Sequence, residues 1–111
     1  MKDTGLLDWE KLEEAAAIFK SLGHPLRLRM VEILEHGEMS VKELQSRLGT
    51  QQSHTSQQLN RMKTLGLLKA RRQGNQVFYS VARPAVFKIL DCLRKDSQED
   101  LQNVSGDLYH G

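Results

Sequence analysis

The sequence contains little of what an extracellular or membrane-bound protein needs. Cys92 is its only cysteine, and a single thiol forms neither an internal disulfide nor a thiolate cluster for a metal. No apolar run approaches the roughly 20 residues that cross a bilayer. Before Asp8 the only adjacent apolar pair is Leu6 and Leu7, whereas a secretory signal has a longer apolar segment. We therefore expect a soluble cytoplasmic protein without a membrane partner.

Signatures of catalysis are missing as well. The sequence has no Gly-rich phosphate-binding loop and no residues whose spacing would join a nucleophile to a base. The histidines lie on separate predicted elements without the spacing of metal ligands, at His24, His36, His54 and His110. We expect neither an enzyme nor a cofactor.

Acidic residues are absent from the middle of the chain. Between Leu44 and Leu90 there is no Asp or Glu, although the net charge of the whole protein is only +2. The basic residues of this segment are Arg47, Arg61, Lys63, Lys69, Arg71, Arg72, Arg83 and Lys88. They alternate with apolar residues at helical and strand periods, which favours a folded surface for a polyanion over a disordered basic arm.

The first part of the chain predicts two helices. Apolar residues at intervals of three and four predict a first helix from about Asp8 to Leu22, with Gly23 as its C-cap. Pro25 then occupies a typical first helical position, and it opens a second helix of about ten residues.

A helix-turn-helix follows. Ser40 and Glu43 have the spacing of a capping box and begin a short third helix, which Gly49 ends. Thr50 is a suitable N-cap for a fourth helix. The residues predicted to face inward on that helix are Thr55, Leu59, Met62 and Leu65. Two short helices joined by a tight Gly turn are typical of a helix-turn-helix.

The period then changes to that of strands. Leu67–Val81, with a turn at Gly74 and Asn75, predicts a β-hairpin that forms a wing. Pro84 opens a last helix. The predicted fold is mainly α with a β-hairpin wing, a winged helix-turn-helix with five helices. We expect the domain to span residues 8–95, between a flexible N-terminus (1–7) and a polar C-terminal tail (96–111) that is loosely held or adds one helical turn.

The last helix is apolar on nearly every side, and such a helix needs two neighbours. A second copy of the chain is the predicted neighbour, giving a two-fold dimer through the first and last helices. The alternative is a helix central to its own core. The residues predicted for the dimer interface are Trp9, Leu12, Ala16, Phe19, Val86, Leu90 and Leu93. Cys92, on the same helix, is predicted to be a small buried hydrophobe, with a thiol sensor or an intersubunit disulfide as the alternative.

Three segments together resemble the ArsR/SmtB family. They are SLGHPLRLRMVEIL (Ser21–Leu34), QQSHTSQQLNRMKTLGLL (Gln51–Leu68) and KARRQGNQVFYSV (Lys69–Val81). The resemblance covers roughly Leu12–Leu93. It implies a dimeric repressor that occupies an operator overlapping its promoter and releases it when an inducer binds.

Many members of this family bind metals, but the matching positions here lack the ligands. Ser40 and Lys42 replace a Cys-x-Cys pair, Arg83 and Ala85 replace an Asp-x-His, and Asp96 and Glu99 replace a distal His-x-x-His or His-x-x-Glu. The resemblance therefore implies no complete family metal site.

The exposed face of the fourth helix is predicted to bind double-stranded DNA, because amide and hydroxyl groups pair with base edges in the major groove. The residues predicted to read bases are Gln51, Ser53, His54, Ser56 and Gln57. Those predicted to contact phosphates are Ser40 and Thr50 at helix N-termini, Arg61 and Lys63 on the fourth helix, and Arg71, Arg72, Gln73, Asn75 and Gln76 on the wing. A two-fold dimer predicts an inverted-repeat operator with half-sites about one helical turn, or a small multiple, apart.

Three alternatives remain at this point. The protein could be a sequence-indifferent DNA-binding protein, a winged helix that binds another protein, or a thiol-responsive repressor that senses through Cys92. The effector, whether a small molecule or a redox signal, is not indicated by any motif.

Overall fold

The fold confirms the predicted winged helix-turn-helix with five helices. The computed structural model describes residues 5–49 and 52–102. Its elements are α1 (Trp9–Leu22), α2 (Pro25–Leu34), β1 (Met39–Ser40), α3 (Val41–Leu48), α4 (Gln52–Thr64), β2 (Leu68–Gln73), β3 (Gln76–Val81) and α5 (Ala85–Gln102). None of the helices in these two ranges is long and apolar enough to cross a membrane.

The first two helices begin at side chains that cap them. The Asp8 carboxylate accepts a hydrogen bond from the Lys11 amide at 2.9 Å, and it lies at the positive end of the α1 dipole. At α2 the cap is His24, whose Nδ1 accepts from the Leu26 amide at 3.3 Å. Pro25 follows as the first helical residue, where its missing N–H costs no hydrogen bond.

The core lies between α2, α3 and α4. Met30 of α2, Leu44 of α3, and Leu59 and Met62 of α4 are fully buried, so these helices meet through their apolar stripes. Thr55 is buried beside them, as predicted.

One residue of the predicted inward face of α4 was assigned wrongly. Leu65 is substantially exposed. The helix ends at Thr64, and the chain then turns through Gly66, whose φ is +84°. The helical spacing that predicted burial therefore no longer holds at Leu65.

The wing is part of a three-stranded sheet that the sequence did not predict. The strand order is β1-β3-β2, and both pairings are antiparallel. In β1, Met39 is opposite Tyr79 and Ser40 is opposite Phe78. Because β1 leads directly into α3, this pairing holds the base of the wing beside the helix-turn-helix.

The last helix packs on its own protomer through residues that we assigned to the dimer interface. Val86 is 2% exposed and Leu90 is 6% exposed, and both belong to the hydrophobic core. The two residues are four apart, so they share one helix face, and α5 contacts α2. That part of the interface prediction needs correction, because these side chains have almost no surface left for a partner.

The last helix is also longer than expected. It continues to Gln102, past Lys95, where we placed the end of the domain. Arg94 helps to hold it against the end of α2, since its guanidinium donates to Glu35 Oε1 at 2.6 Å. It also donates to Asp91 Oδ1, within α5, at 2.7 Å. These pairs are exposed, so each stabilises the protein only modestly.

A buried hydroxyl in α1 gives a prediction for stability. Ser21 is 2% exposed, and its Oγ has no hydrogen-bond partner among the described residues. We expect Ser21→Ala to raise the free energy of unfolding by about 1 kcal/mol, because an unpaired buried polar atom is removed. Urea denaturation would measure the change.

The control for helix propensity is Ser46→Ala on an exposed position of α3, which should give at most about 0.5 kcal/mol. Destabilisation by Ser21→Ala would contradict the prediction and would mean that the hydroxyl is hydrogen bonded.

Candidate nucleic-acid interface

The helix-turn-helix is formed by α3 and α4. At the start of α3 the capping box is complete, because Ser40 Oγ accepts from the Glu43 amide at 3.1 Å and Glu43 Oε1 accepts from the Ser40 amide at 2.9 Å. At its end Gly49 has φ +73° and ψ +25°, a left-handed conformation that suits glycine. Both ends of α3 are therefore determined locally, as predicted.

The same capping box limits one predicted phosphate contact. Ser40 is buried, its backbone N–H donates to Glu43, and its hydroxyl accepts from the Glu43 amide. The backbone N–H is therefore already used, whereas the hydroxyl keeps a proton to donate, and a phosphate contact by Ser40 stays a prediction. Thr50, the other N-terminal residue predicted to contact phosphate, lies outside the described residues.

The exposed face of α4 is polar. The exposed uncharged polar side chains before its last turn are those of His54, Ser56, Gln57 and Asn60. Of the other residues predicted to read bases, Gln51 lies outside the described residues, and Ser53 lies on α4 with its side chain outside them. Burial of Thr55, Leu59 and Met62 on the opposite side leaves the amide and hydroxyl groups of this face open to a ligand.

The wing exposes its polar residues at and near its tip. Gly74 has φ +63° at the turn between β2 and β3, which glycine adopts without steric cost. The exposed residues here are Arg71, Arg72, Gln73, Asn75 and Gln76. Arg71 is opposite Phe78 and Arg72 is opposite Val77, so the two arginines project from opposite faces of the hairpin.

Arg71 is already bound to a carboxylate. Its Nε donates to Glu38 Oε2 at 3.0 Å, its Nη2 to Glu38 Oε1 at 2.7 Å and its Nη1 to Gln73 Oε1 at 2.6 Å. The guanidinium also lies 5.0 Å from the centre of the Phe78 ring. The hydrogen bonds from Arg71 hold the pKa of Glu38 below its usual value. Arg71 is thus less available to phosphate than the sequence predicted, and Glu38 is a site residue that the sequence did not reveal.

A groove lies where three elements meet. It has a volume of about 270 Å³ and lies between the start of α3, the helix α4 and the wing tip. Lys42, Ser56, Asn75 and Gln76 line it. Of these, the predicted site contained Ser56, Asn75 and Gln76, whereas Lys42 was considered only as a missing metal ligand. The position of Lys42 in the first turn of α3, the helix directly before α4, is the feature of the sequence that could have identified it as a site residue.

The remaining predicted phosphate contacts lie at the other end of α4. Arg61 and Lys63 are exposed in its last turn. Cations at this position also interact favourably with the helix dipole. Two explanations therefore fit the position of these residues: stabilisation of the helix C-terminus, and a contact with phosphate.

The first and last helices expose the other five residues predicted for the dimer interface. Trp9 is 79% exposed and Phe19 is 59% exposed on α1, and Leu93 is 48% exposed on α5. Leu12 and Ala16 are exposed with them. Cys92 is exposed too, so our expectation of a buried thiol was wrong for the protomer.

No group of three or more metal-ligating side chains lies together in the described ranges, 5–49 and 52–102. Of the two carboxylates considered above, Asp96 is exposed on α5, and the side chain of Glu99 is outside the described part.

Comparisons with known proteins agree with this geometry. The sequence profile described as bacterial regulatory protein, arsR family, matches residues 24–70. An HTH-type transcriptional regulator of Mycobacterium tuberculosis is 42% identical over 81 residues, which cover 72% of this chain and 71% of the relative.

Solved structures similar to this chain are also DNA-binding regulators. The transcriptional repressor PagR of Bacillus anthracis superposes with a TM-score of 0.70 at 34% identity, over 78% of this chain and 99% of PagR. The homodimeric winged helix-turn-helix DNA-binding domain of Mb0332 from Mycobacterium bovis gives a TM-score of 0.72 at 26% identity, over 90% and 94% of the two chains.

The exposed helix α4, the wing and the basic segment that contains both define a winged helix-turn-helix DNA-binding protein. The chain belongs to the ArsR family of bacterial regulatory proteins. It is a DNA-binding transcriptional regulator, in a family of regulators rather than enzymes.

Proposed function

We propose that the protein is a homodimeric cytoplasmic repressor of its own or a neighbouring operon, which binds an inverted-repeat operator and leaves it in response to an effector. The observation that carries the proposal is the polar exposed face of α4, with Ser56 and Gln57 in its N-terminal half, beside a wing that carries Arg72. A helix of this kind enters the major groove with its N-terminal residues toward the bases.

Charge supports DNA as the partner. The chain from residue 45 to residue 90 contains no acidic residue, so α4 and the hairpin contribute no repulsion toward phosphates. Glu38, which reaches the wing from outside this segment, is compensated by Arg71. A protein-binding winged helix would be expected to expose an apolar or acidic recognition face, which α4 does not.

Two further observations support a dimeric repressor. Trp9 and Phe19 of α1 are exposed, and burial of large aromatic side chains is a strong driving force for association. Two of the similar proteins described above are a repressor and a homodimeric DNA-binding domain. A two-fold dimer presents two recognition helices, which is why we expect an inverted repeat.

The effector is proposed to be a small molecule or an oxidant. Cys92 is the sole cysteine of the chain and is exposed on α5. It is therefore the thiol through which a redox signal would act, on a helix of the proposed dimer face.

The test is binding of the purified protein to its own upstream DNA, measured by fluorescence anisotropy with excess random competitor across a salt series. Sequence-specific binding predicts that the complex resists the competitor, since specific affinity commonly exceeds non-specific affinity by about 10³-fold or more. Equal competition by random DNA would reject operator recognition and favour a sequence-indifferent DNA-binding protein.

The two wing arginines should behave differently in this assay. Arg72→Ala is expected to weaken binding to operator and random DNA alike and to reduce the slope of log K against log salt by about 0.9, the value for one lost phosphate contact. Arg71→Ala should change the slope less, because its guanidinium is bonded to Glu38. An equal loss of slope in both variants would contradict this and would mean that Arg71 leaves Glu38 for a phosphate.

A further inference from the structure

Arg27 of α2 connects two other helices. Its Nε donates to Oε1 of Gln58, on α4, at 2.7 Å. Its Nη1 donates to the backbone carbonyl of Ser21, in the last turn of α1, at 2.9 Å. Arg27 is half-buried, and both hydrogen bonds are partly shielded from water. Because the guanidinium is planar and rigid, these two bonds relate the end of α1 to one position on α4.

Gln58 is well placed to determine how α4 is oriented. It is half-buried between exposed Gln57 and fully buried Leu59. Apolar burial is non-directional and keeps α4 against the core, but it tolerates small rotations of the helix about its axis. A hydrogen bond weakens steeply with angle and distance. A rotation that moved Gln57 relative to a base would therefore also stretch the bond between Gln58 and Arg27.

We propose that Arg27 is a positioning residue for DNA recognition, which fixes the orientation of α4 through Gln58 while it binds the end of α1. The proposal rests on base readout by α4, as set out under the proposed function. It adds a residue that is not among the predicted DNA contacts and that lies on α2 rather than on the helix-turn-helix. Since α1 also carries Phe19, the contact links the proposed dimer face to the recognition helix through one side chain.

The first test is Arg27→Lys, which keeps the charge but cannot reproduce a planar fork to both acceptors. The quantity measured is the ratio of affinities for upstream DNA and random DNA at fixed salt, below the melting temperature of every variant. We expect the ratio to fall about tenfold, which is comparable with the loss of one base contact, because α4 is no longer held in one orientation. Affinity for random DNA should stay within about twofold of wild type, because phosphate contacts remain.

The matched control is Arg29→Lys. Arg29 is on the same helix, and its guanidinium pairs with Glu32 on that helix. The control should leave the ratio unchanged. An unchanged ratio in Arg27→Lys, or an equal fall in Arg29→Lys, would overturn the assignment of Arg27.

Variants of Gln58 separate positioning from a general loss of stability. Gln58→Glu keeps an acceptor oxygen for Arg27 and should retain the ratio, whereas Gln58→Leu removes the acceptor and should lose as much as Arg27→Lys. The double variant Arg27→Lys, Gln58→Leu should lose no more than either single variant, because both remove the same contact. If the falls in the affinity ratio multiplied in the double variant, the two residues would not act through one contact. If the losses of binding followed the melting temperature and were equal for upstream and random DNA, Arg27 would have a merely structural role. A wild-type protein without preference for upstream DNA would instead reject the proposed base readout itself.

Discussion

Phe19→Glu is expected to convert the protein from a dimer to a monomer and to remove tight operator binding. Phe19 lies on α1 with 59% of its surface exposed in the protomer. Burial of a Phe side chain contributes about 1.5 to 3 kcal/mol, and a two-fold interface contains each residue twice. The substitution also places two carboxylates in that interface. We therefore expect the dimer dissociation constant to rise by at least about 100-fold, which corresponds to about 2.8 kcal/mol.

Operator affinity should fall with dimerisation, because a monomer presents one recognition helix to one half-site. Sedimentation equilibrium would measure the association, and fluorescence anisotropy the binding to upstream DNA. Circular dichroism should show a folded protomer, since the residue is largely outside the core. Recovery of operator binding at high protein concentration would support loss of dimerisation as the cause.

Leu65→Glu is the matched control for an exposed apolar residue changed to a charge. Leu65 is exposed at the end of α4, on neither of the helices proposed to form the dimer. This variant should remain a dimer. A dimer that dissociates in Leu65→Glu but not in Phe19→Glu would show that the interface lies beside α4 instead of on α1 and α5.

The elements that the sequence predicts well are those with local signals. The start of α3 follows from the Ser40 and Glu43 spacing, its end from Gly49, and the wing turn from Gly74. Each signal acts within a few residues of itself, through a side chain that binds a nearby amide or a glycine that adopts positive φ. Periodicity then places the buried residues of α4, because Thr55, Leu59 and Met62 repeat at three and four residues.

Features that depend on distant partners were not predictable in this way. The strand β1 has two residues, too few for a periodic pattern, and it exists because β3 lies beside it. The Glu38 and Arg71 pair joins residues 33 positions apart. Glu38 lies outside the segment free of acidic residues, so the charge pattern indicated an unpaired arginine where the fold supplies a carboxylate.

The last helix shows a second limit on prediction from the sequence. It is apolar on several sides, so the sequence cannot tell which residues face the protomer core and which face a partner. The fold places Val86 and Leu90 inward and leaves Leu93 and Cys92 exposed. The sequence left open one extra turn after Lys95, and α5 continues beyond that to Gln102. Its full length was not predicted because these polar residues have no apolar stripe, although most of them are compatible with a helix.

The second large effect is expected for Gln57→Ala, which should remove most of the preference for the operator. Gln57 is exposed in the N-terminal half of α4, and its amide is able to form a bidentate pair with adenine. Such a pair contributes about 1 to 3 kcal/mol of discrimination, so the ratio of operator to random-DNA affinity should fall by roughly 5- to 150-fold at each half-site. Binding to random DNA should be nearly unchanged, because no phosphate contact is lost.

Asn60→Ala tests whether the loss of operator preference is specific to Gln57. Asn60 also carries an exposed amide on α4, one turn nearer the C-terminus, where a recognition helix has usually left the bases. Competition anisotropy with operator variants at each base pair would compare the two substitutions. Gln57→Ala should flatten the preference at one symmetric pair of positions, whereas Asn60→Ala should leave the profile intact. If Asn60→Ala flattened the profile and Gln57→Ala did not, the helix would enter the groove by its other half, and the position proposed here for α4 on DNA would be wrong.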